Sequence, residues 1–195
     1  EGPAAAAKFL NDYSNTQGEK VYWMAKVLYA DLQADAVKYF DDIGDKNWAI
    51  TAINTLYEDK VIGGVSAGKF APDNKITRAD FILMLVKALD LQADVKDNFS
   101  DVKKGAYYYD AVGIAKALGI ASGKTPDTFG PKDNITRQDM VVMMNKALES
   151  KKLTLPKPAS GLSQFTDSAL VSGYAKDAMA VMTAATGKGS PPAPM

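Results

Sequence analysis

The chain has 195 residues, 23 Lys+Arg balanced by 23 Asp+Glu, 47% apolar residues, and neither Cys nor His. That length suits one domain or two small ones, and the absence of a basic excess argues against a general nucleic-acid binder. Without Cys or His there are no disulfides, thiolate nucleophiles or Ser-His-Asp triads and few routes to zinc, so no metal or cofactor is expected, and an enzyme would have to work with carboxylates, Lys, Tyr or Ser. No apolar run reaches the roughly 18 residues of a membrane span. No charged-then-apolar leader follows Glu1, so any signal peptide is expected to be gone already.

Residues 1–39 stand apart from the rest of the chain. Pro3 to Tyr13 is expected to form a short proline-started helix. A longer one is expected from about Gly18 to Tyr39, with Val21, Met24, Ala25, Leu28, Leu32 and Ala36 facing inward. From Phe40 onward the chain repeats itself. Moving residues 40–89 along by 59 positions lays them on 99–148 without a gap, with 14 of 50 positions identical. A third, partial copy starts at Phe165-Thr166-Asp167, and Pro194-Met195 falls where its next Thr-Arg would begin. A clipped or truncated chain would explain that stop. The divisions are therefore 1–39, 40–98, 99–160 and 161–195.

Each copy reads as helix, loop, helix. In the first, Trp48, Ala49, Ala52, Ile53, Leu56 and Tyr57 recur at helical spacing. Val61-Ile62-Gly63-Gly64 is expected to end that helix, glycine being the usual residue past a C-terminus. Residues 64–75 read as a loop or short hairpin, with Phe70 pinned to the core. A second helix is expected from about Thr77 to Leu89, burying Phe81, Ile82, Leu85, Val86 and Leu89. The second copy repeats this at about 107–118 and 136–149. Neither helix pair can bury its apolar stripe alone, so the copies must pack together in an all-α tandem-repeat fold. The link Leu153 to Gly161, with Pro156 and Pro158, is expected to be extended.

The chemistry is concentrated in Ile76-Thr77-Arg78-Ala79-Asp80 and Ile135-Thr136-Arg137-Gln138-Asp139. Thr followed three positions later by an acid approaches a capping box, in which the acid reaches back to the Thr amide. Arg78 and Arg137 would each sit at the first helical position, against the positive end of the macrodipole. That placement calls for an anion. Asp80 or Asp139 could supply it internally; alternatively, an external carboxylate or phosphate could bind the guanidinium together with free helix-start amides. Trp48 and Tyr107 open the first helix of their copies, either as core or as a flat platform for a sugar ring. In Tyr107-Tyr108-Tyr109 at least one ring must be exposed, since neighbours on a helix lie about 100° apart.

Phe40-x-Asp42-Ile43, Trp48-Ala49-x-x-Ala52-Ile53, Val61-x-x-Gly64, Phe70-x-Pro72 and Ile76-Thr77-Arg78-Ala79-Asp80 together resemble an S-layer homology motif. Phe99 to Leu148 resembles a second, and Phe165 to Met195 the start of a third. The resemblance implies a pseudo-threefold, three-pronged helical domain that anchors a secreted protein to the bacterial cell wall or surface layer. The implied ligand is secondary cell-wall polysaccharide, bound through the carboxylate of a pyruvylated N-acetylmannosamine. By that likeness Arg78 and Arg137, with Asp80 and Asp139 beside them, grip the carboxylate; Trp48 or Tyr107 packs on the sugar; Gly63, Gly64 and Gly123 let the backbone come close. Two other readings compete. A glycosidase could use Asp41-Asp42 with Asp80 or Asp139, although acids that recur with a repeat each have a structural explanation. A lattice-contact module could use an adaptable surface of methionines such as Met143, Met144, Met179 and Met182.

Overall fold

The computed structural model describes residues 39–44, 47–153, 155 and 161–186. The helices expected before Tyr39, most of the proline link and the end of the chain lie outside the described residues. Among the described residues there are five α-helices and no strand: α1 (Asn47–Glu58), α2 (Arg78–Ala88), α3 (Tyr109–Ala117), α4 (Arg137–Ser150) and α5 (Lys176–Thr186), with short 3-10 turns at Ser168–Leu170 and Gly173–Ala175. The chain divides into two compact units, one through Asn74 and one from Lys75. The boundary falls inside the first repeat, ahead of its Thr-Arg helix.

In the first unit Phe40, Ile43 and Ile53 form a small buried cluster, with Ala49, Ile50 and Phe70 packed against it. Phe40 and Phe70 lie 5.4 Å apart between ring centroids, so Phe70 does hold its loop to the core. The loop closes as a tight turn through a Ser66–Lys69 bridge. The inward stripe of α1 is narrower than its spacing suggests. It centres on Ile50 and Ile53, which leaves Ala52, Leu56 and Tyr57 exposed.

The second unit has the larger core. Ile82 of α2, Val112 of α3, Met143 and Ala147 of α4, and the loop residues Phe99, Ile120 and Phe129 are all buried in one cluster. Phe81, Ile82, Leu85 and Val86 are buried as their spacing predicts. Helix α2 packs on α3 and α4, and α4 on α5, so helices of successive repeats cover one another's apolar faces.

Helices α2, α3 and α4 end within a residue of where their spacing places them, whereas α1 ends at Glu58, ahead of Gly63-Gly64. The second residue past each of α1 to α4 is left-handed, at Lys60, Asp90, Gly119 and Lys152. Paired reverse hydrogen bonds close each turn, such as Lys60 N–H to Tyr57 O at 2.9 Å and Val61 N–H to Leu56 O at 2.9 Å. Only the third of these positions holds glycine, and Gly63-Gly64 is not the stop. A side chain in this conformation costs roughly 1–2 kcal/mol, partly offset in glycine by chain entropy. Lys60→Gly, Asp90→Gly and Lys152→Gly should each stabilise the protein by about 0.5–1 kcal/mol in chemical denaturation.

Candidate functional site

The Phe-x-Asp that opens each repeat builds the loop on which the site rests. Asp42 accepts hydrogen bonds from the backbone N–H groups of Phe70 and Ala71, both at 2.8 Å. Asp101 does the same for Phe129 and Gly130, both at 2.8 Å. The N–H of Phe70, then that of Ala71, holds the Asp42 carboxyl below its ordinary range. Asp42, one of the acids a glycosidase reading could enlist, is thus occupied in clamping its own loop, as Asp101 is in the second repeat.

Each Thr-Arg turn then starts a helix. Thr77 accepts the Asp80 N–H at 3.1 Å, and Thr136 the Asp139 N–H at 3.2 Å, as helix caps. The acids do not complete a capping box. Asp80 Oδ2 takes the Thr77 hydroxyl at 2.6 Å, and its Oδ1 takes the phenol of Tyr107 at 2.6 Å. Asp139 Oδ1 takes the phenol of Tyr174 at 2.7 Å. The tyrosine that opens one repeat is thereby tied to the acid in the first turn of the Thr-Arg helix of the repeat before it.

The two arginines differ. Arg78 is 6% exposed. Its Nε donates to Phe129 O at 2.9 Å, its Nη1 lies 3.4 Å from Asp139 Oδ2, and its guanidinium covers the Phe129 ring at 4.9 Å. The helix-start amides beside it are also taken: Arg78 N–H donates to Asp133 O at 2.9 Å and Ala79 N–H to Pro131 O at 3.1 Å. The free amides expected at this turn are therefore filled by the loop of the second repeat, and Asp139 supplies the counter-charge from the other copy. Arg137 is exposed, and its guanidinium has no hydrogen bond or ion pair among the described residues. It lines a cavity of about 420 Å³ with Thr136, Leu162, Phe165, Val171 and Met179. Gln138, where the first repeat has Ala79, accepts the Ser172 N–H at 3.1 Å and joins the third copy to α4.

The aromatic positions sort by exposure. Tyr107 is 69% exposed, while Tyr108 and Tyr109 are partly buried. Tyr107 and Tyr108 precede α3, which starts at Tyr109 rather than at 107. Tyr174, at the corresponding place in the third copy, is 61% exposed. Trp48 lies in α1, and its side chain falls outside the described residues. The Asp80 carboxylate, and to a lesser degree burial, pushes the Tyr107 phenol up to about 12; burial and then Asp139 raise that of Tyr174. A phenol raised in the folded state contributes stability that is complete below about pH 10 and fades as pH rises through about 12. Tyr107→Phe should therefore flatten the alkaline limb of a pH-denaturation curve; an unchanged limb would contradict the Asp80 bond.

The glycines have separate settings. Gly64 has φ +71, and a methyl there would lie 2.5 Å from Lys69 O and from Phe40 Cε1. Gly123 has φ +78, and a methyl would meet Thr125 O, lie 2.7 Å from Thr128 O and 2.8 Å from Phe99 Cε1. Both close the loop onto the Phe that opens the repeat. Gly63 faces open space. Among the described residues the structure pairs Arg78 with Asp139 and Asp80 with Tyr107 through hydrogen bonds across the repeats. Sequence reasoning missed Tyr174 and Phe129 as partners of these turns, and the recurrence of an aromatic eight or nine residues after each Phe was the available signal for Tyr174.

Comparison with known proteins finds one family at two places in the chain, starting within a residue of Phe40 and Phe99. The S-layer homology domain family matches residues 39–82 and 98–141. The chain is 38% identical over 143 residues to an endoglucanase of Bacillus sp. (strain KSM-635), covering 72% of this chain and 15% of that protein. It is 31% identical over 137 residues to a surface-layer 125 kDa protein of Lysinibacillus sphaericus, covering 70% and 11%. It is 30% identical over 161 residues to a cellulosome-anchoring protein of Acetivibrio thermocellus, covering 78% and 35%. The chain thus spans a minor part of each of these relatives. Among the described residues no helix is long and apolar enough to cross a membrane.

Proposed function

Since this chain carries two tandem S-layer homology domains and belongs with surface-layer and cell-surface relatives, we propose that it is a non-catalytic module anchoring an exported protein to secondary cell-wall polysaccharide. The anchoring role at the cell surface follows from the family; the ligand is a further step. In this reading the polysaccharide is held through the carboxylate of a terminal pyruvylated N-acetylmannosamine. Arg137 binds that carboxylate, with Gln138 and the apolar wall of Phe165, Val171 and Met179 against the sugar ring. Tyr174 and Tyr107 offer exposed rings at the two repeat junctions, and Trp48 is the corresponding aromatic of the first repeat. Arg78, Asp80 and Asp139 set the junction geometry. Gly64 and Gly123 each keep the loop of their own repeat tight, and Gly63 leaves its surface open.

One observation carries the reading. Of two equivalent arginines, one is buried on internal partners and the other stands exposed at the mouth of a cavity of about 420 Å³, a size within the range of small-ligand sites. A guanidinium at the positive end of a helix gains more from an incoming carboxylate than from water. The test is cosedimentation with purified wall polysaccharide before and after mild acid removes its pyruvate ketals. Binding should be lost with the pyruvate, and 0.5 M salt should weaken it only modestly because one carboxylate is engaged at each site. Undiminished binding to the depyruvylated polymer would overturn the carboxylate assignment.

A further inference from the structure

The second repeat carries a basic pocket that its fold does not require. The pocket is about 770 Å³, and it lies between the segment leading into α3 and the loop before α4. Lys103, Lys104, Lys124 and Lys132 line it, all exposed, together with Asp101 and Asp133. Asp101 is spent on the Phe129 and Gly130 amides. Asp133 is paired with Lys124 Nζ at 2.6 Å. That leaves Lys103, Lys104 and Lys132 with no ion pair among the described residues.

The internal repeat supplies a control. Where the second copy has Lys103, Lys104, Lys124 and Lys132, the first has Gly44, Asp45, Val65 and Asp73. Even with Lys46 and Lys69 counted, the first-repeat positions matching the whole lining carry net charge −1, against +2 in the second. The residues that make the loop, Asp101, Gly123, Phe129 and Pro131, are the same in both copies. The Lys124–Asp133 pair is also specific to the second copy. It lies across Gly130, where a methyl would fall 2.5 Å from Asp133 Oδ2, and the first copy has Ala71 there.

We propose that this pocket binds a stretch of anionic polysaccharide bearing several phosphate or carboxylate groups, at a site separate from Arg137. Three ammonium groups without an ion pair line one open pocket of about 770 Å³, a volume with room for more than one anionic group. They suit successive charges along a chain, with Ala106 and Tyr108 giving apolar surface to the sugars. No residue lines both this pocket and the Arg137 cavity, so the two sites can fail independently.

The experiment titrates the full chain with poly(glycerol phosphate) in one arm and polygalacturonate in the other. The variant K103G/K104D/K132D installs the first repeat's own residues, and K87D/K96D/K152G makes the same net charge change elsewhere. The wild type should bind at least one polymer, with affinity falling steeply as salt rises, and the binding arm identifies phosphate or carboxylate. The pocket variant should lose on the order of tenfold or more while melting like the wild type and still binding pyruvylated saccharide. Arg137→Ala should keep polymer binding. Failure of both polymers to bind, full affinity in the folded pocket variant, or an equal loss in the control variant would overturn the proposal.

Discussion

Arg137→Ala should weaken binding to pyruvylated wall polysaccharide roughly 10- to 150-fold, the equivalent of losing about 1.5–3 kcal/mol of charge-assisted hydrogen bonding. Its melting should stay within about 0.5 kcal/mol of the wild type, because an exposed cation is being removed from the positive end of a helix. Arg78→Ala should do the reverse. It strips the partner from the buried Phe129 carbonyl and one partner from Asp139, which should cost about 2–4 kcal/mol of stability. Lysine is a poor substitute at Arg78, since it cannot donate to Phe129 O and Asp139 from one planar fork while covering a ring. Binding by calorimetry and unfolding by urea, measured on both variants, separate the two roles. A large stability loss in Arg137→Ala with no loss of binding would reverse the assignment.

Gly123→Ala should cost about 3–5 kcal/mol, a large share of the stability of a domain this size. Two effects add. The residue must keep φ +78, and its new methyl would run into the carbonyls of Thr125 and Thr128 and into the Phe99 ring. Those groups are loop backbone and the opening Phe of the repeat, so neither can yield without releasing Phe129 from the core. The second unit should then melt early, and ligand binding should fall with it. Gly63→Ala, facing open space, should melt like the wild type. Equal melting of the Gly63 and Gly123 variants, followed by circular dichroism, would show that the loop closure is not as described.

The readable parts of this chain were those governed by short spacing. Phe81, Ile82, Leu85 and Val86 are separated by one or three residues and are buried as their period requires. Thr77 and Thr136 cap the helices they precede. Contacts over long separations were not readable. Asp101 bonds amides 28 and 29 positions away, and Arg78 meets Asp139 across 61 positions. A repeat makes such pairs hard to assign, because both copies offer an equivalent acid. Asp80 was as plausible a partner for Arg78 as Asp139 until the copies were placed side by side. The stop of α1 was misplaced for a different reason: at Lys60 the reverse hydrogen bonds of the turn impose a left-handed backbone on a side chain that rarely takes one. The exposure of Leu56 reflects how α1 is rotated on its small core, which period alone does not determine.

The likeness of the repeats also hides a division of labour. Arg78 and Arg137 occupy one place in one motif, yet among the described residues only the first meets a following loop that fills its helix-start amides and neutralises its charge. The most direct measurement is a crystal structure of the full chain with pyruvylated N-acetylmannosamine bound. The sugar should lie in the cavity beside α4, its carboxylate within hydrogen-bond distance of the Arg137 guanidinium, with Arg78 still on Phe129 and Asp139. A sugar seated elsewhere with Arg137 turned to solvent, or one that draws Arg78 out of its internal bonds, would contradict the account.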